Sequence, residues 1–110
     1  MIYKFYDTEA LKTCYVKEEN VKTIISSITA EEIKPFTIPA DWEIIKFHPK
    51  LLKPLLSKGF SEDITNLKNL ACAIYYDCTQ HPDETVFITN DSYTADAANR
   101  FFGNDSIKLV

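Results

Sequence analysis

The chain has 110 residues, of which 45% are hydrophobic, 25% charged and 13% aromatic, and this composition predicts one folded domain over residues 1–110. Its two glycines and five prolines exclude a disordered or low-complexity chain. The net charge of −4 argues against broad binding of nucleic acid through a basic face, although a bound metal ion could supply positive charge beside a phosphate.

Hydropathy and cysteine usage predict a cytoplasmic protein without a membrane partner. No apolar run reaches the roughly 18 residues that a membrane span needs, and the N-terminus lacks a basic-then-apolar secretory pattern. Cys14, Cys72 and Cys78 form no CxxC pair. They are therefore expected to be free thiols in a reducing compartment.

The first half of the chain alternates strand and helix patterns. Ile2–Tyr6 predicts a short strand, and Asp7-Thr8 offers an N-cap for a helix over Glu9–Tyr15. A β-branched run over Val21–Ser27 predicts a second strand.

A second helix is expected between this strand and Pro35. Thr29 and Glu32 have capping-box spacing at its start. Trp42–Phe47 predicts a third strand, at the edge of the sheet.

The second half continues the alternation. A short helical piece begins at His48-Pro49 and ends at Gly59, and an amphipathic helix runs from Ser61 or Asp63 to about Cys78. Thr85–Thr89 predicts a buried strand. It is followed by a helix from Asp91 or Ser92 to Phe102, which Gly103 ends, and by a final strand over Ile107–Val110. The pattern predicts a three-layer α/β/α fold around a mainly parallel sheet of about four to five strands.

Three acidic residues are expected at one edge of this sheet. Asp7 follows the first strand, Glu32 lies in the first turn of the helix after the second, and Asp91 follows the Thr85–Thr89 strand. Ligand sites of parallel sheets lie beyond the carboxyl ends of the strands. Asp63 and Asn66 share a helix face and could contribute from the long helix.

Such a cluster indicates either a bound cation or a separate structural role for each acidic residue. Two carboxylates about 4 Å apart repel by roughly 4 kcal/mol at an effective dielectric near 20, and hard divalent ions prefer all-oxygen sites. However, Asp7, Thr29 and Asp91 also stand where helix N-caps are expected. The residues alone leave metal binding and capping open.

The same segments resemble the PIN domain. The run Phe5-Tyr6-Asp7-Thr8 with Leu11 looks like the first family motif, and ISSITAEEI at 25–33 looks like the second, with Glu32 before Ile33. VFITND at 86–91 looks like the last motif. The family's third acid normally opens an Asp-x-x-Ile-Leu-Ala helix, whereas this chain has Asn66 at that position.

The resemblance implies an endoribonuclease that depends on Mg²⁺ or Mn²⁺ and hydrolyses RNA phosphodiester bonds with a metal-activated water. Asp7, Glu32 and Asp91 would be both catalytic residues and metal ligands, and Asp63 would be a further ligand. Supporting positions would be Thr8, Asn66 and Thr89. The implied partners are an RNA substrate and a homodimer or antitoxin-like protein.

Three rival interpretations accompany this one. Asn66 and a middle segment shorter than is usual in the family favour a PIN-like binding module without full activity. A toxin of a toxin–antitoxin pair would share the chemistry and differ in biology. A phospho-receiver needs an aspartate after its middle strand, but here His48-Pro49 follows Trp42–Phe47. Contacts with phosphate from Lys12, Lys68 or Arg100 compete with a role as solvated surface charges.

Overall fold

The computed structural model describes residues 1–60 and 65–110 and contains a five-stranded, all-parallel sheet with the order β3-β2-β1-β4-β5. The strands in chain order are Ile2–Tyr6, Val21–Ser26, Glu43–Ile45, Glu84–Thr89 and Ile107–Leu109. The predicted α/β class with a parallel sheet is confirmed. The third strand lies at an edge of the sheet, as its sequence indicated.

Within the described residues, five α-helices connect the strands. Helices α1 to α5 span Thr8–Cys14, Ser27–Glu32, Lys53–Ser57, Thr65–Gln80 and Ser92–Asn99. Short 3₁₀ helices at Pro49–Leu52 and Asn104–Ser106 precede α3 and β5. Among the described residues, no helix has both the length and the apolar character that a membrane crossing demands.

Apolar residues on both faces of the sheet produce three layers. Neighbouring residues within a strand point to opposite faces. Phe5 and Phe87 belong to one core with α3, α4 and α5, while Tyr6 and Ile88 belong to a second core with α1 and the segment around Trp42. The central strands are therefore buried on both sides, which explains why Thr85–Thr89 reads as an almost continuous apolar run.

The predicted start of the second helix is wrong. Ser26, not Thr29, is the N-cap, since the Ser26 hydroxyl accepts a hydrogen bond of 3.1 Å from the Thr29 N–H. The helix begins three residues earlier than expected because β2 ends at Ser26 and the chain turns directly into it. Glu32 is therefore the last residue of α2 and does not lie in its first turn.

Other boundaries differ more modestly from those predicted. Helix α5 ends at Asn99, and Gly103, with a φ of −79°, lies at the start of the following 3₁₀ helix. The predicted start of the long helix at Ser61 or Asp63 lies outside the described residues. The N-caps predicted at Asp7 and Asp91 are confirmed.

The three cysteines should react at very different rates. Cys14 and Cys78 are exposed, whereas burial under the sheet raises the pKa of the Cys72 thiol to about 12. Because the thiolate is the reactive form, we expect two thiols to react rapidly with a disulfide reagent at pH 8 and the third only in denaturant. Rapid reaction of all three thiols in the native protein would contradict this burial, and a Cys72→Ala variant should keep the two rapid reactions of Cys14 and Cys78.

Candidate acidic site at the carboxyl edge of the sheet

The central strands β1 and β4 are neighbours, although the chain leaves them in opposite directions. From β1 it continues to β2 and β3 on one side, and from β4 to β5 on the other. This is a topological switch point, where parallel sheets open a crevice at the carboxyl ends of their strands. Asp7 directly follows β1, and Asp91 follows β4 after a single residue. Both acids thus flank the position where such folds bind ligands.

Asp7 is completely buried and satisfied by hydrogen bonds. Its Oδ1 accepts a bond of 2.8 Å from the Ala10 N–H, which caps α1. Its Oδ2 accepts a hydrogen bond from the hydroxyl of Thr89. Among the described residues the ion pairs join lysines to Glu18, Glu9 and Glu31, so no positive side chain described here neutralises Asp7.

Thr89 joins the two strand ends. Its buried hydroxyl donates to Asp7 and accepts a hydrogen bond of 3.1 Å from the Asp91 N–H. One side chain thereby orients a carboxylate from β1 and the backbone that carries a second carboxylate. Thr89, which the sequence resemblance suggested as a supporting residue, therefore connects Asp7 to the turn that presents Asp91.

Asp91 is held as a charged N-cap of α5. The pKa of Asp91 lies below the usual aspartate value, chiefly because the Thr94 hydroxyl donates a hydrogen bond to its carboxylate. The N–H groups of Thr94 and Tyr93 and the side chain of Asn66 lower the pKa further, whereas burial opposes them. Asn66, which the sequence resemblance aligned with an acid, thus lies close enough to Asp91 to help lower its pKa.

Glu32 reaches the site indirectly. Its side chain is exposed at the end of α2, and its Oε1 accepts a hydrogen bond of 2.8 Å from the hydroxyl of Thr8. Thr8 follows Asp7 in the chain and also lies 3.0 Å from the Thr29 hydroxyl, oxygen to oxygen. Thr89 thus links the Asp7 carboxylate to the backbone N–H of Asp91. Glu32 is hydrogen-bonded to Thr8, the residue that follows Asp7.

A buried polar cluster behind Glu32 was not predicted from the sequence. The hydroxyls of Ser26 and Thr29 both donate to Oδ1 of Asn69, which is buried in α4. Among the described atoms, Nδ2 of Asn69 has no hydrogen-bond partner. A signal existed in the sequence, because Asn69 stands three residues after Asn66 and next to Leu70 on the apolar stripe of the helix.

The oxygen-rich chemistry of these residues fits a hard divalent cation such as Mg²⁺ or Mn²⁺. Each oxygen of the Asp7 carboxylate accepts one hydrogen bond and keeps another lone pair that could face a metal ion. Over residues 1–60 and 65–110, however, no three acidic, histidine or cysteine side chains form a group that could hold a metal. Asp63, the further ligand expected from the sequence, lies outside the described residues.

The three basic residues considered as phosphate contacts occupy different surfaces. Lys12 lies in the last turn of α1, with its ammonium 3.7 Å from Glu9. Lys68 stacks over the Phe47 ring at 5.9 Å, and the Arg100 guanidinium over the Phe60 ring at 5.3 Å. Lys12 lines a groove together with one of the expected acids, Glu32.

Comparisons of the chain with protein-family models, curated proteins and solved structures gave no match. The class of the protein therefore follows from its own fold and site. The chain has a parallel α/β fold with a switch point between β1 and β4, and this point is flanked by Asp7 and Asp91, which both form a hydrogen bond with Thr89.

Proposed function

We propose that this protein is a divalent-metal-dependent endoribonuclease of the PIN type, in which Asp7, Asp91 and Glu32 form the acidic site. The observation that carries the proposal is that Thr89, at the switch point, hydrogen-bonds both the Asp7 carboxylate and the backbone N–H of Asp91. A buried carboxylate without a described cationic partner is costly, and a bound cation would offset that cost.

The protein's own residues would position the reaction. Asp7 and Asp91 are held by the starts of α1 and α5, so their oxygens need little rearrangement to bind an ion. Thr8, the residue that follows Asp7, donates a hydrogen bond to the Glu32 carboxylate. Mg²⁺ or Mn²⁺ would supply charge neutralisation at the phosphodiester and a more acidic water. Asp63, which the sequence resemblance implies as a further metal ligand, is part of this proposal.

Cleavage of RNA tests the proposal. A mixed-sequence single-stranded RNA is incubated with Mn²⁺ and either wild-type protein or an Asp7→Asn, Asp91→Asn double variant. We expect the double variant to cut at least about 100-fold more slowly, since loss of even residues that only orient metal ligands costs 10- to 100-fold. A matched double variant, Asp83→Asn with Asp105→Asn, changes two exposed acids that precede β4 and β5 at the opposite edge and should keep wild-type activity.

Equal cutting by the wild-type protein and by the Asp7, Asp91 double variant would remove these residues from the mechanism. Loss of activity to the same extent in the matched control variant would also remove Asp7 and Asp91 from the mechanism. RNA as substrate, a cytoplasmic location and a homodimer or antitoxin-like partner are parts of the same proposal, and only the first is tested by this assay.

A second candidate function is a PIN-like binding module that has lost its chemistry. It is favoured by the neutral Asn66 beside Asp91 and by the lack of a three-acid group among the described residues. Calorimetry with Mn²⁺ separates the two functions. Heat of binding at millimolar metal that disappears in Asp7→Asn supports the nuclease, whereas no binding to the wild-type protein supports the module.

A further inference from the structure

A groove opens beside Glu32, between α1 and the segment that follows α2. Its volume is about 350 Å³, at the small end of the range for ligand pockets and of a size for one nucleotide rather than a long peptide. Leu11 and Ile33 are among its apolar lining residues. Glu32 lines the groove and also contacts Thr8, so the groove lies next to the acidic edge of the sheet.

Three aromatic rings form one wall of this groove. Trp42 is only 8% exposed and is fixed by Tyr15, whose ring centroid lies 4.9 Å away in an edge-on arrangement. Phe36 lies 6.0 Å from Trp42, with ring planes 33° apart, and is 53% exposed. A largely exposed phenyl ring on a buried aromatic support presents a flat apolar face to solvent. Such faces bind nucleobases by stacking, whatever the base sequence.

Two cations accompany the aromatic wall. Lys12 and Lys34 line the groove, and each makes an exposed ion pair within its own segment, with Glu9 at 3.7 Å and Glu31 at 2.9 Å. Exposed pairs of this kind contribute little free energy, so both ammonium groups can turn to a ligand at small cost. Lysines and aromatic rings that line the same groove favour a flat ligand that carries an anionic group.

We propose that the groove binds one nucleotide of a single-stranded RNA, with the base on Phe36 and the flanking phosphates on Lys12 and Lys34. This deepens the proposed function and rests on it, because a nucleotide seated here would place its neighbouring phosphodiester beside Glu32, which is hydrogen-bonded to Thr8 at the acidic edge. A segment of a partner protein would need a longer apolar surface than this groove offers, because two lysines and a glutamate are among its lining residues. Stacking and phosphate contacts together predict preference for single strands over duplexes.

The only tryptophan of the chain, Trp42, reports on the groove directly. Dye-labelled eight-nucleotide oligouridine RNA is titrated with protein in EDTA, so that neither metal nor cleavage contributes. Anisotropy gives the affinity, and Trp42 fluorescence gives the location. We expect quenching by the RNA and little quenching by an abasic oligomer of equal length. Phe36→Ala should weaken binding by about tenfold or more, and Phe36→Tyr should keep it.

Matched variants control for general surface effects. Tyr75→Ala removes another exposed aromatic ring, on the outer side of α4, and should bind RNA like wild type. Changing Lys12 and Lys34 to glutamine should lower the slope of log affinity against log salt by about 1.4, as expected for two lost phosphate contacts. Lys53→Gln, at an exposed position of α3, should leave the slope unchanged.

The inference and the proposed function fail in different ways. Unchanged RNA affinity in Phe36→Ala, or equal quenching by the abasic oligomer, would overturn the nucleotide site and leave the groove for a protein segment, whether or not the enzyme cuts RNA. Binding that depends on Phe36 in EDTA supports the site even if no cleavage is found with Mn²⁺.

Discussion

Replacing Asp7 with asparagine is expected to remove the stabilisation that Mn²⁺ gives to the folded protein, while metal-free stability stays within about 1 kcal/mol of wild type. Asparagine caps a helix as well as aspartate does, so the hydrogen bond from the Ala10 N–H survives. The change removes the buried negative charge and places an amide donor in front of the Thr89 hydroxyl, which then accepts a hydrogen bond where it donated one before. A cation at 100 times its dissociation constant stabilises a protein by about 2.7 kcal/mol, and this increment should vanish.

Thermal unfolding with and without Mn²⁺ measures this effect. Asp83→Asn, which neutralises an exposed acid at the far edge of the sheet, should keep the full metal-induced shift. Asp7→Ala should lose both the shift and, without metal, about 1 kcal/mol or more of capping free energy. If Asp7→Asn retains the whole shift, Asp7 does not bind the ion and its role is to cap α1.

Replacing Thr89 with valine is expected to cost about 3 kcal/mol of the free energy of unfolding, measured in urea without metal. Valine has nearly the same shape and suits a strand, so packing of β4 is preserved. The lost hydroxyl leaves the buried Asp7 carboxylate without its second donor and the Asp91 N–H without its acceptor. Unmade hydrogen bonds of buried polar groups, above all charged ones, account for the magnitude.

Two variants show whether the hydroxyl is responsible. Thr89→Ser restores the group and should recover most of the loss. Thr85→Val makes the same change on the same strand, where the hydroxyl has only a 3.4 Å contact to Asp77, and should cost much less. If Thr89→Val and Thr85→Val are equally mild, the contact between Asp7 and Thr89 contributes little. With Mn²⁺ bound, the Thr89→Val penalty should shrink because the cation then compensates Asp7.

Local pattern predicted the parts of the fold that depend on neighbours in sequence. Alternating apolar strands and amphipathic helices indicated a parallel α/β sheet, because strands buried on both faces must be continuously apolar. Asp7 and Asp91 were predicted as caps because each stands between a strand and a helical pattern, and in the structure each carboxylate accepts an N–H three residues ahead. Both acids were therefore also expected at the carboxyl edge, where the structure places them.

The start of α2 shows where local pattern was insufficient. Ser26 and Thr29 are both good caps, and Glu32 gave Thr29 the better capping-box spacing. Ser26 prevails because its hydroxyl also donates to Asn69, a residue of α4 far along the chain, while Thr29 turns inward to the same amide. Such a long-range contact has no signature in the sequence around the helix.

The sequence by itself determined the order of strands and helices, the caps at Asp7 and Asp91, and the presence of acids after β1 and β4, because these depend on backbone and side-chain preferences over a few residues. Only the tertiary structure decided that β1 and β4 are neighbours, that Thr89 bonds the Asp7 carboxylate and the Asp91 N–H, and that Glu32 is hydrogen-bonded to Thr8. The physical reason is that buried polar groups must find partners, and here those partners come from segments 24 to 82 residues apart.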